Sequence, residues 1–109
     1  MIRSMIRLSV VPGREREFES MFSRLRVLEK AKSAAGLVSG QVLKPVQGGA
    51  YAVTATWHSV RDYQRWIDSP IRAELIKALD GVAVPDSPPE LFEIIETYES
   101  CIDSMQCAP

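Results

Sequence analysis

Between Tyr51 and Arg72 the side-chain pattern changes period, and this junction constrains the fold more than any other stretch. Tyr51, Val53, Ala55 and Trp57 alternate with Ala52, Thr54 and Thr56, the repeat of a strand with two distinct faces. After His58 the alternation gives way to Val60, Tyr63, Trp66 and Ile67, spaced as one stripe of a helix. Ser59, with Asp62 three residues later, forms the Ser-x-x-Asp capping signature that starts such a helix. A strand therefore runs straight into a helix. Both tryptophans and the only histidine fall inside this junction, which makes it the first place to look for a recognition site.

The flanking segments read in the same terms. Met5 to Val11 alternates as a strand, with Ile6, Leu8 and Val10 opposing Met5, Arg7, Ser9 and Val11, and Pro12-Gly13 ends it. From Arg14 to Lys32, Phe18, Met21, Phe22, Leu25 and Leu28 form one apolar stripe, which predicts a single amphipathic helix of about five turns. That stripe reads as core. Gly36 suits the left-handed residue that closes a helix. Leu37 to Val46 reads as a strand, and Gln47-Gly48-Gly49 as the turn of a hairpin that pairs it antiparallel with Tyr51–Trp57.

Ser69-Pro70 interrupts the helix after the junction, and a second piece over residues 71–79 is expected to turn Ile71, Leu75, Ile76 and Leu79 inward. The three prolines between Val82 and Pro89 predict a surface loop. Leu91 to Tyr98 reads as a last strand, and residues 101–109 as a short polar tail holding Cys101 and Cys107 as free thiols.

The totals exclude several classes. A chain of 109 residues holds one domain, here assigned to residues 1–100. With 13 basic against 14 acidic residues and a net charge of −1, no field draws a polyanion, so nucleic acid is not an expected partner. Arginines at 3 and 7 interrupt the first apolar stretch, which therefore lacks a signal-peptide core, and nothing approaches the roughly 18 apolar residues of a membrane span. The expectation is a cytoplasmic protein with no membrane partner.

The element string is strand, long helix, strand, strand, broken helix, strand. This βαββαβ order predicts an α+β, ferredoxin-like fold, a four-stranded antiparallel sheet with both helices on one face. The other face carries the second residue set of every strand, and Leu91 and Ile95 opposing Phe92 and Ile94 suggest that both sets are substantially apolar. A homodimer through sheet faces would cover it.

Over roughly residues 3 to 98 the chain resembles the antibiotic biosynthesis monooxygenase domains of the dimeric α+β barrel superfamily. The resemblance rests on the element order, on Lys44-Pro45-Val46 before the hairpin turn, and chiefly on Tyr51, Trp57-His58-Ser59, Tyr63-Gln64-Arg65-Trp66 and Ser69-Pro70. It implies a dimer with one apolar pocket per subunit for a small aromatic substrate. Members of the family include cofactor-independent oxygenases that convert polyketide anthrones or phenols to quinones, and small haem-degrading proteins; others are ligand binders without assigned activity.

The haem-degrading relatives carry an axial histidine nine residues beyond the matching tryptophan and an asparagine on the first strand. Those places hold Leu75 and Arg7 here, and leucine cannot ligate iron. The expectation is therefore a monooxygenase without a cofactor, with haem as the alternative. Cofactor-free oxidation asks for an apolar pocket, a proton acceptor and positive charge near a developing enolate. Trp66, Arg72, Arg7 and His58 are the candidate catalytic residues, and Ser9, Tyr63, Trp57 and Leu75 the candidate substrate contacts.

Overall fold

The computed structural model describes residues 1–100; the expected tail, with Cys101 and Cys107, lies outside the described residues. Its elements are β1 (Ile2–Val10), α1 (Glu15–Arg24), α2 (Val27–Ala35), β2 (Ser39–Leu43), β3 (Tyr51–Trp57), α3 (Val60–Ile67), α4 (Pro70–Leu79), β4 (Ala83–Pro85) and β5 (Glu90–Glu93). The sheet runs β2-β3-β1-β4, with β5 also on β1, and every pairing is antiparallel. The helices pack on one face, so the ferredoxin-like α+β architecture is the observed one. No helix among the described residues is long and apolar enough to cross a membrane.

The hairpin forms as its turn residues predict, from Ser39 opposite Thr56 to Leu43 opposite Ala52. Gly40 allows α2 to lie close, since a Cβ there would come within 2.9 Å of Leu28 Cδ2. Both helices after the junction start on serine hydroxyls. Ser59 Oγ accepts from the Asp62 N–H at 3.2 Å and Ser69 Oγ from the Ile71 N–H at 3.2 Å, with Pro70 opening α4.

Several expectations need correction. The helix from Arg14 to Lys32 is two helices, broken at Arg26, whose φ of 53° is left-handed. The break re-aims the apolar stripe: Phe18 and Phe22 of α1 pack with Tyr51, Val82 and Ala83, while Ala31 and Ala35 of α2 pack with Trp57, Trp66 and Leu75. Val27 and Leu28 touch both clusters. One straight helix could not serve the two.

The fourth strand position is also filled differently. Val82 and Ala83 are buried, and Ala83–Pro85 pairs with Leu8–Val10 where a surface loop was expected. The last strand is only Glu90–Glu93, alongside Ile2–Met5, and Ile95 and Tyr98 beyond it are 91% and 86% exposed. Prolines 85, 88 and 89 lack the donors that one continuous strand would need. Asp86 N–H bridges the gap by donating to the Arg7 carbonyl at 2.8 Å.

The inward set of α4 is narrower than expected. Leu75 is buried and Leu79 packs on the core, but Ile71 and Ile76 are exposed, as is Val60 on α3. The sheet face away from the helices is mixed rather than substantially apolar. Register places Arg3, Met5, Arg7 and Ser9 of β1 there with Ala52, Thr54 and Thr56 of β3, and with Phe92 of β5.

Candidate functional site

The helix-facing side of the sheet presents Ile6, Leu8 and Val53 as an apolar floor, because these alternate with the outward set in β1 and β3. Over it, α3 brings Tyr63 and Trp66 at i and i+3, and α4 brings Arg72, Leu75, Ile76 and Leu79 at i, i+3, i+4 and i+7. Phe22, Val27 and Leu28, around the helix break, close the third side. The space between holds two adjoining pockets, here called lobes, of about 140 and about 70 Å³. The lobes share Ile6, Val27, Val53, Trp66 and Arg72 in their walls.

The smaller lobe ends against an ordered aromatic group. Trp57, 1% exposed, donates its indole N–H to Ser4 Oγ at 2.9 Å, and its ring meets Tyr63 edge to face with centroids 5.9 Å apart. Ser4 Oγ in turn reaches the Ala55 carbonyl at 3.5 Å. Burial pushes the Tyr63 phenol above its ordinary value, while the nearby Arg72 guanidinium pulls the other way, so the hydroxyl is a neutral hydrogen-bonding group at neutral pH.

Among the described residues, Arg72 is the only charged side chain lining either lobe. Among the described residues no carboxylate forms a salt bridge with it. It also stands in the first turn of α4, which holds no acidic residue, where a cation is disfavoured by the helix dipole. Helix stability therefore does not account for it.

Of the residues expected at the site, Trp66, Arg72, Tyr63, Trp57 and Leu75 come together around this cavity. Arg7, Ser9 and His58 do not. Arg7 and Ser9 point from the opposite sheet face, Arg7 pairing with Glu90 at 3.5 Å, and His58 is exposed at the corner before the Ser59 cap. Ser4 and the lining residues Ile6, Val27, Leu28 and Val53 were not anticipated. For Ile6 and Val53 the signal was present, since both lie on the inward set of their strands.

A groove of about 420 Å³ lies beyond the Phe22, Val27 and Leu28 wall. Its charges are mutually satisfied: Lys44 pairs with Glu19 at 3.2 Å, Arg26 with Glu29 at 3.5 Å, and Tyr51 donates to Glu19 at 2.6 Å. The smaller cavity, apolar with one uncompensated cation, is the better ligand site.

Haem does not fit the residues present. Among the described residues the lobes are lined by no histidine, cysteine or carboxylate, Leu75 supplies no donor, and the raised Tyr63 phenol resists becoming a phenolate ligand.

No protein-family model matches the sequence, and no curated protein matches it. Solved structures do. SnoaB, a cofactor-independent oxygenase from Streptomyces nogalater, is similar with a TM-score of 0.72 at 22% identity, over 91% of this chain and 97% of that one. The haem degrader MhuD from Mycobacterium tuberculosis gives 0.70 at 24%, over 91% and 100%. A candidate antibiotic biosynthesis monooxygenase from Deinococcus radiodurans gives 0.74 at 16%, over 93% and 99%. The chain has the α+β fold of the antibiotic biosynthesis monooxygenases.

Proposed function

We propose that this protein is a cofactor-independent monooxygenase that oxidises a phenolic or anthrone-type aromatic to a quinone with O2, in the cavity between sheet and helices. The observation that carries the reading is the uncompensated Arg72 guanidinium in an apolar cavity walled by Trp66. Ground-state O2 reacts slowly with closed-shell molecules, so the substrate must first become an electron-rich anion. Arg72 stabilises that phenolate or enolate, Tyr63 donates a hydrogen bond to it, and the indole of Trp66 packs against the ring.

The described lining residues offer no carboxylate or imidazole, so the proton leaves through the open side of the cavity to water. The anion passes one electron to O2, and the resulting radical and superoxide combine at carbon. The peroxide takes up a proton and loses water, leaving one oxygen atom in the quinone and one in the water. Arg7, Ser9 and His58 have no part in this scheme.

The same residues favour, as a second reading, a dimer that binds a planar aromatic anion without turnover, because no fixed base stands among the described lining residues. The two are separated by an oxygen electrode with a dihydroxynaphthalene against a no-protein blank. Uptake above the blank supports the oxygenase; saturable binding without uptake supports the binder. Haemin added to the purified protein is expected to give no Soret shift, and a saturable shift at one haemin per chain would restore the haem alternative.

The proposed assembly is a homodimer through the sheet face opposite the helices. Phe92 is 47% exposed on that face, the kind of large apolar side chain a second layer would cover.

A further inference from the structure

The proposed function leaves the ligand's size and charge open. The two lobes and the position of Arg72 narrow both. A cavity of about 150 Å³ with apolar walls takes a single benzene ring. The larger lobe, at about 140 Å³, has room for one ring, and the smaller, at about 70 Å³, for part of a second. A third fused ring would have to leave through the open side, giving up contact with Trp66 and the sheet floor.

Arg72 fixes the second property. It lines both lobes, so it is within reach of a ligand in either ring position. A cation beside apolar walls and without a carboxylate partner among the described residues is balanced best by an anionic oxygen on the ligand itself. We infer that the cavity selects a one- or two-ring aromatic carrying an anionic oxygen, a carboxylate or an acidic phenol, held by Arg72, and discriminates against both neutral analogues and tricyclic frames, which narrows the proposed substrate from the anthrone type to the phenolic type. The inference rests on the proposal that this cavity is the ligand site, and does not require turnover.

The test is anaerobic calorimetric titration of the full chain with naphthoate, naphthalenemethanol and anthracenecarboxylate. Naphthoate is expected to bind roughly tenfold or more tightly than either of the others. Arg72→Gln should abolish the preference over naphthalenemethanol while leaving naphthalenemethanol affinity within about twofold, and Arg72→Lys should retain part of the preference, which separates lost charge from lost fold. Equal affinity for naphthoate and anthracenecarboxylate overturns the size limit. A charge preference that survives in Arg72→Gln, or no binding by any of the three, overturns the inference as a whole. Selective naphthoate binding with no oxygen uptake on any phenol leaves the inference standing and removes the oxygenase reading.

Discussion

Ser4 contributes more than its size suggests. Its hydroxyl is the acceptor for the buried Trp57 N–H, so Ser4→Ala leaves a donor without a partner beneath the smaller lobe. The expected cost is about 1–3 kcal/mol, measured by urea denaturation, and an unchanged midpoint would show that water replaces the hydroxyl. Tyr51 offers a second handle. Its hydrogen bond to Glu19 is the main cause that pushes the phenol up to about 12, with burial adding to it. A group raised in the folded state stabilises the fold fully below its unfolded value, near 10, and the contribution is lost as pH rises through about 12. Glu19 is held below the ordinary carboxylate range, first by Tyr51 and then by Lys44, so its contribution is lost as pH falls through that lowered value. An alkaline absorbance titration should show a late tyrosine step that Tyr51→Phe removes; all steps clustering near 10 would contradict the assignment. At this scale the sequence was partly readable. Tyr63, Trp66 and Leu75 lie on the inward stripes that helical spacing predicts, whereas Arg72 lies outside the predicted stripe and is legible only as a cation after the Ser69-Pro70 break. Arg7 and Ser9 could have been placed on the opposite sheet face by the same logic, since they alternate with the inward Ile6 and Leu8. Ser4 was missed because the strand begins at Ile2 rather than Met5, and its partner Trp57 lies 53 positions away.

The break between α1 and α2 had no signal among the residues. No glycine or proline marks it, and the apolar spacing through Leu25 and Leu28 is continuous. What decides it is tertiary: two clusters at different places on the sheet must both be filled. Arg26 bears the cost, because a left-handed conformation in a residue with a Cβ is disfavoured by about 1–2 kcal/mol. Arg26→Gly is therefore expected to stabilise the protein by about 1 kcal/mol, against a small loss from the exposed Arg26–Glu29 pair. Destabilisation in thermal unfolding would show that the arginine side chain matters more than its backbone. The fourth strand teaches a related lesson. Its prolines were legible as breakers, but β4 forms nonetheless because Val82 and Ala83 gain burial against Phe18 and Tyr51, which outweighs weak local strand preference.

The whole-molecule reading was the most legible level, since the order of elements alone points to an antiparallel sheet with helices on one side. Its weakest part was the second sheet face, where Arg3, Arg7 and the threonines of β3 make the surface mixed. The proposed dimer is nevertheless testable directly: sedimentation at micromolar concentration is expected to give twice the 12.2 kDa chain mass, and Phe92→Glu should shift it toward the monomer. A stable monomer in the unsubstituted protein would remove the assembly. The claim on which the account turns is that the cavity around Trp66 and Arg72 carries out oxidation by O2 without a cofactor. It is tested most directly by incubating metal-free and haem-free protein with a dihydroxynaphthalene under isotopically labelled O2, and analysing the quinone by mass spectrometry. The account expects one labelled oxygen atom in the product, formed faster than in the blank, with the enhancement lost in Arg72→Gln. Quinone formed no faster than in the blank, or at a rate indifferent to Arg72, would contradict it.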